Sequence, residues 1–193
     1  MANLKISELS PVIAVTNNDV LAIVNGGETK KITVADLVAY NQLGWNRIDD
    51  TVYTSSNKLS LSDGVQITLP NNAGNVIKCG NDYTFYDSAT NKILGLDVND
   101  VYILTVVFSS AAANTNSTHL DFALQGSGQI NRVSKTLQYH KGNGVEQNFH
   151  DVYQYYTDAD FVANGVTPKI VAVGGTAEIW DIIFFIQRTQ RYI

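Results

Sequence analysis

The chain has 193 residues, of which 45% are hydrophobic and only 16% charged. This length suits one domain of ordinary size plus an appendage and is too short for two such domains. The net charge of −5 argues against a nucleic-acid partner, because phosphate binding needs clustered Lys and Arg. No apolar run reaches the ~18 residues of a membrane span, and the N-terminus lacks the layout of a secretory signal. We therefore expect that the chain is made in a cytoplasm and that it does not contact a membrane.

The amino-acid composition favours β-strands. Ten Tyr and seven Phe accompany frequent Val and Ile, and aromatic and β-branched side chains pack well on a pleated surface. Cys79 is the one cysteine, so an intrachain disulfide is impossible and a thiolate metal site would lack its other ligands. The composition predicts a mostly β protein in which Cys79 is structural.

Residues 1–44 differ from the rest of the chain. Leu4–Leu9 alternates apolar and polar residues, Val20–Val24 is a short apolar run that ends at Asn25-Gly26-Gly27, and Lys31–Val34 resumes the alternation. A capping pattern at Thr33 opens a helical stretch over 34–42. The segment is thus predicted to be a hairpin plus a short helix.

So small a unit closes no core of its own, which favours docking on a partner over packing within the chain. The edges of its short strands could add to a partner's sheet, where main-chain hydrogen bonds give affinity. The residues that we expect to bind the partner are Leu4, Ile6, Leu9, Leu21, Ile23 and Leu37.

Residues 45–193 read as short strands separated by turn signals, a pattern typical of a β-sandwich or barrel. Gly, Asn and Asp clusters mark the turns, and Lys141–Gly144 is the strongest predicted hairpin turn. The predicted strands cover residues 45–54, 58–61, 65–69, 83–87, 92–96, 101–109, 119–125, 130–140, 145–156, 168–173 and 176–187.

Two segments, Val101–Phe108 and Ile179–Ile186, are almost continuously apolar. A half-buried antiparallel strand should alternate, so these strands are predicted to be covered on both faces, with neighbouring copies in a homotrimer supplying the second cover. The alternative is a monomer in which both strands lie centrally in a thick sandwich. The predicted trimer-interface residues are Ile103, Phe108, Trp180 and Phe184.

The opening of the chain resembles the N-terminal segment of many bacteriophage virion and tail-fibre proteins. The resemblance is carried by Lys5–Leu9 (KISEL), the strand that follows Asp19, and Gly27–Leu37 (GETKKITVADL). The strand count and the aromatic final strand of residues 45–193 resemble the jelly-roll heads of trimeric phage fibres, which implies a jelly-roll-like β-sandwich. Together the two segments are similar to the trimeric head-fibre family of crAss-like phages. The resemblance implies a structural fibre on the capsid surface of a virion, attached to a capsid protein or a second fibre protein. The alternative that it leaves open is a tail-associated receptor-binding tip.

No recognisable catalytic pattern is present, so we expect no enzyme activity and no cofactor. The acidic clusters Asp49-Asp50, Asp97/Asp100 and Asp158/Asp160 fall at turns and strand ends, where Asp serves its own backbone. His140 or His150 could bind a metal on a trimer axis, although a surface histidine is the commoner case. A host-surface glycan is the remaining candidate partner. The aromatic rings that could bind it are Tyr139, Phe149, Tyr153, Tyr155, Tyr156 and Trp180, and most of them are expected to pack in the core or between subunits.

Overall fold

The computed structural model describes residues 20–25, 28–33, 43–80, 83–114 and 118–190. The chain divides into two compact units, Met1–Gln42 and Leu43–Ile193. In the first unit, strands β1 (Val20–Asn25) and β2 (Glu28–Thr33) pair antiparallel, as predicted for the hairpin.

Several predictions for this unit lie outside the described residues: the helix over 34–42 and the positions of Leu4, Ile6, Leu9 and Leu37. For Leu21 and Ile23 the backbone is described and the side chain is not. The docking residues therefore stay a prediction.

The second unit is built from twelve further strands among the described residues, with one short helix, α1 (Ala159–Asn164). The strands are β3 (Gly44–Asp49), β4 (Leu59–Leu61), β5 (Ile67–Thr68), β6 (Asn75–Cys79), β7 (Tyr86–Asp87), β8 (Lys92–Ile93), β9 (Val101–Ala112), β10 (His119–Gln125), β11 (Asn131–Gln138), β12 (Gln147–Tyr156), β13 (Thr167–Val173) and β14 (Ala177–Gln190).

Strand pairing identifies the fold of this unit as a jelly roll. One sheet has the order β12-β9-β14-β3-β6, with β4 also paired to β14, and the other has the order β11-β10-β13-β5. The antiparallel pairs are nested along the chain: β10 with β11, β9 with β12, β5 with β13, and β3 with β14. This nesting places successive pairs in alternate sheets, which is the double Greek key of a jelly roll. The predicted fold class is confirmed.

The core lies between the two sheets and is rich in aromatic rings. Strand β12 alternates strictly between buried and exposed residues, as expected when one face of an antiparallel sheet packs on a core. Tyr153 of β12 stacks on Phe122 of the opposite sheet with ring centroids 4.8 Å apart, and Tyr155 stacks on Phe161 of α1 at 5.3 Å. Full burial of a large apolar side chain contributes about 1.5–3 kcal/mol, so these rings join the two sheets.

The predicted hairpin at Lys141–Gly144 is wrong. The chain does turn there, since the Val145 N–H donates to the Gly142 carbonyl at 3.0 Å. The flanking strands β11 and β12, however, pair with β10 and β9 in different sheets. A turn signal predicts a reversal of the chain, but it does not say whether the two strands pair or separate into opposite layers.

Two elements were missed by the strand reading. Strand β6 follows directly on the turn at Pro70–Gly74 and exposes all five residues, so it carries no buried face that a pattern could reveal. Helix α1 begins where the Asp158 carboxylate accepts the Phe161 backbone N–H at 2.8 Å. The sequence predicts a turn residue at Asp158, whereas the structure shows an N-cap, for which Asp is also a preferred residue.

Two neighbouring tyrosines of β12 give a matched stability test. The Tyr155 hydroxyl is buried and has no hydrogen-bond partner among the described residues, whereas the Tyr153 hydroxyl donates to Asp151 Oδ2 at 3.0 Å. We expect Tyr155→Phe to leave the free energy of unfolding unchanged or to raise it by about 1 kcal/mol, and Tyr153→Phe to lower it by about 1.5–3 kcal/mol. Urea unfolding of both variants measures the difference, and equal losses would contradict it.

Candidate functional site

The two strands predicted to be covered on both faces, β9 and β14, are neighbours in the larger sheet and each has one inward and one outward face. Inward side chains of β9 are at most 1% exposed, whereas the outward side chains of 101, 103, 105 and 107 are half-buried. In β14 the outward residues Ile183, Phe185 and Gln187 are likewise half-buried. We call the outward surface of β12, β9, β14, β3 and β6 the outer face.

The strand register arranges the outer face in rows that run across the sheet. One row joins His150, Val107, Ile183 and Asp49; the next joins Val152, Thr105, Phe185, Arg47 and Ile77; the third joins Gln154, Ile103, Gln187, Trp45 and Cys79. Apolar side chains from all five strands therefore form one continuous patch, and within the described residues no second layer of secondary structure pairs against it.

Aromatic packing fixes the middle of the outer face. The rings of Trp45 and Phe185 stack with centroids 4.9 Å apart and an interplanar angle of 30°, within the range that aromatic pairs prefer. Beside them lies a hollow of about 330 Å³ lined by Thr105, Val107, Ile183 and Phe185, among others. Thr105 has the smallest side chain of its row, which leaves this space open. The patch is preformed within one chain and presents an indentation to solvent.

Charge on the outer face is sparse and paired. Arg47 Nε lies 2.8 Å from Asp49 Oδ1 on the same strand, so the two charges offset each other. His150 lines the edge of the hollow and is exposed. Surface ion pairs contribute about 0–1 kcal/mol, so this pair neutralises the face without stabilising the fold much.

Three of the four predicted trimer-interface residues need correction. Phe108 and Phe184 are 1% and 0% exposed and belong to the core between the sheets. Trp180 is 3% exposed, with the Lys58 ammonium 4.4 Å from its ring centroid. The packing of a single chain thus buries these three side chains, and they offer no surface to a neighbouring copy. Ile103 does lie on the outer face, half-buried.

The acidic clusters are used structurally. Asp50 accepts the backbone N–H groups of Val52, Tyr53 and Asn72 at 3.1, 2.6 and 2.9 Å. Asp97 and Asp100 both pair with buried Arg188, whose Nη2 lies 2.8 and 2.6 Å from their carboxylates. These contacts hold turns and the end of β14, which is the role of turn aspartates expected from the sequence.

The third acidic cluster, Asp158 and Asp160, lacks the electrostatics of a general acid. The backbone N–H of Phe161 and the guanidinium of Arg132 lower the pKa of Asp158, and hydrogen bonds from Ser127 and Asn164 lower the pKa of Asp160. A carboxyl that donates a proton near neutral pH needs a raised pKa. Asp158 and Asp160 instead anchor α1 to β11 through Arg132.

Most aromatic rings that could grip a sugar are inside the molecule. Tyr139, Phe149, Tyr153, Tyr155 and Trp180 are at most 7% exposed, and Tyr156 alone of this set is exposed, at 71%. Their expected placement in the core is confirmed.

A polar hollow of about 420 Å³ lies on the smaller sheet and is lined by Asp121, Asn131 and Thr136, among others. It offers amide, hydroxyl and carboxylate groups without an exposed ring.

Metal and membrane sites were also sought. In the part of the chain that the structure describes, no three His, Cys, Asp or Glu side chains are grouped so as to hold a metal ion. His140 and His150 are both exposed. No helix among the described residues has the length and apolar content that crossing a bilayer requires.

Neither the protein-family models nor the curated proteins gave a match to this sequence. Solved structures did. The vertex protein P5 of PRD1 aligns at a TM-score of 0.49 with 9% identity, over 97% of this chain and 91% of that one. The Eiger TNF of S. frugiperda aligns at 0.44 with 6% identity, over 79% and 96%. The VP2 subviral particle of infectious bursal disease virus aligns at 0.44 with 9% identity, over 90% and 39%. All three TM-scores are below 0.5, and the jelly-roll assignment rests on the strand order.

Proposed function

We propose that this chain is a structural virion protein: a homotrimeric fibre subunit attached to the surface of a phage capsid through its N-terminal segment. The observation that carries the proposal is the sequence over residues 5–37, which resembles the opening of phage virion proteins and falls in a compact unit separate from the jelly roll. The structural use of the acidic clusters in the head supports a binding role over a catalytic one.

The attachment step would use the first unit. An isolated two-stranded hairpin is marginally stable in water, and its unpaired edges are suited to adding a strand to another protein's sheet. The partner is a capsid protein or a second fibre protein. Side chains alternate along a strand, and positions 21 and 23 of β1 have the parity that Val20 lacks.

This parity gives the attachment test. We expect the double substitution Leu21→Asp and Ile23→Asp, made in the full chain, to leave the trimer intact and to reduce the copy number on purified particles at least tenfold, because charge is not tolerated in an apolar contact. Quantitative mass spectrometry of virions measures the copy number.

Val20→Asp is the matched control, since Val20 is 52% exposed and has the opposite parity on the same strand. It should keep the wild-type copy number. An unchanged copy number for the double variant would refute attachment through these positions of β1.

A second candidate is a tail-associated receptor-binding tip that adheres to a host-surface glycan. The polar hollow beside Asp121 and Asn131 is the observation that favours a sugar contact, because sugar hydroxyls pair with amides and carboxylates. A glycan array probed with the full-length trimer tests it. Binding that is lost on Asn131→Ala would support adhesion, and an array without hits would count against it.

A further inference from the structure

We infer that the outer face of the larger sheet is the surface at which the three copies of the fibre subunit meet. This inference rests on the homotrimer of the proposed function and adds the surface that forms it. It replaces Phe108 and Phe184, which face the core, and Trp180, which its own chain buries, by outward residues on the same two strands: Val107, Ile183 and Phe185.

Apolar exposure is the first reason. A half-buried antiparallel sheet normally turns a polar face to water, yet the central strands of this face present Val107, Ile183, Phe185 and Ile103. Towards the two edges, Val152 is 55% exposed and Ile77 is 44% exposed. A contiguous apolar patch of this kind on a soluble protein marks an interaction site.

The extent of the face is the second reason. Five strands spaced by ~4.8 Å, over the five residues that all of them share, at ~3.3 Å each, give a flat area of ~400 Å². One partner in a standard protein interface buries ~800 Å², and side chains that stand out from the sheet make the accessible area larger than the flat one. The outer face is therefore large enough to form most of a stable contact.

Charge identifies the occupant as a second copy. The whole chain carries a net charge of −5, so copies repel one another in general. On the outer face the single acidic side chain of the three central rows, Asp49, is paired with Arg47, and the other members of those rows carry no fixed charge. A charged partner would find nothing to pair with here, whereas a neighbouring copy of this acidic chain that packs on the outer face meets no unpaired acidic group on it.

The test places a charge at the centre of the face. Val107→Glu adds a carboxylate at a half-buried position between Ile183 and His150, and each of the three contacts of a threefold assembly would have to bury one such charge. We expect the mass from light scattering at micromolar concentration to fall to one third of the wild-type value, with an unchanged circular dichroism spectrum. Ile130→Glu is the matched control, because Ile130 is apolar and 63% exposed but lies outside the outer face.

Tryptophan quenching gives a second readout that remains usable if Val107→Glu folds poorly. The chain has two tryptophans: Trp180 is buried by its own chain, and Trp45 is half-buried on the outer face. Val152→Glu, at an exposed position of the same face, should also lower the mass to one third and should make Trp45 at least twofold more accessible to acrylamide.

The outcomes separate the two proposals. A wild-type protein with the mass of one chain would overturn the homotrimer itself, together with this inference. A wild-type trimer that persists in folded Val107→Glu and Val152→Glu would overturn the surface alone and leave the homotrimer standing. Loss of the trimer in Ile130→Glu as well would also overturn the assignment of this surface.

Discussion

Replacing Arg188 by methionine is expected to lower the free energy of unfolding of the head by about 3–5 kcal/mol. Arg188 is 2% exposed, and its Nη2 pairs with Asp97 at 2.8 Å and with Asp100 at 2.6 Å. Asp100 is itself fully buried. Methionine keeps the apolar stem but leaves the buried carboxylate of Asp100 without these charge contacts, which is what makes breaking a buried ion pair costly. Urea unfolding measures the loss.

Two controls show whether the stranded charge is the cause. Glu178→Gln removes the ion pair between Glu178 and Lys58, in which the side chain of Lys58 is 33% exposed and that of Glu178 is 49% exposed. Because this pair lies at the surface, its loss should lower the free energy of unfolding by at most about 1 kcal/mol. Adding Asp100→Asn to Arg188→Met removes the charge and should recover part of the loss. Equal effects of Arg188→Met and Glu178→Gln would contradict the burial argument.

Phe184→Ala should cost about 3–5 kcal/mol of unfolding free energy. Phe184 is fully buried and packs edge-to-face on Tyr86 with ring centroids 5.4 Å apart. Alanine leaves a cavity in the middle of β14, which contacts β9, β3 and β4, so little of the surrounding structure can collapse into it. Thermal and urea unfolding both report the loss.

Phe185→Ala is the matched change on the next residue, which faces the other way. It removes the stacking on Trp45 but opens no cavity between the sheets, so we expect a smaller loss of unfolding free energy and a weaker trimer. A larger loss of folding stability for Phe185→Ala than for Phe184→Ala would contradict the assignment of inner and outer faces.

The extent to which the fold could be predicted differs between elements. The sequence predicts strands β9, β10 and β13 to within a few residues of their observed bounds, because each has apolar residues in a run or at alternate positions and is bounded by turn residues. The sheet to which each strand belongs could not be predicted. The sequence of a turn such as Lys141–Gly144 is the same whether the two flanking strands pair with each other or lie in opposite sheets. Only the long-range register, for example β3 with β14, decides it.

The candidate site shows why the sequence does not predict which residues of β9 and β14 face the core and which face outward. In an alternating strand the polar residues mark the outward face, but Ile183, Phe184 and Phe185 are consecutive and all apolar. The rule that polar residues mark the outward face also fails at the next two polar residues: Gln187 faces outward, whereas Arg188 is buried against two aspartates. The apolar run correctly indicated an unusual surface on β9 and β14, and the residues that form it became visible only from the pairing of strands.

Imaging of purified virions tests the central claim most directly. A tagged copy of the chain, located by electron microscopy on particles of the phage that encodes it, is expected to give threefold density projecting from the capsid surface. Density confined to the tail would contradict the capsid fibre and favour the receptor-binding tip. Absence of the chain from purified particles would contradict a virion role altogether.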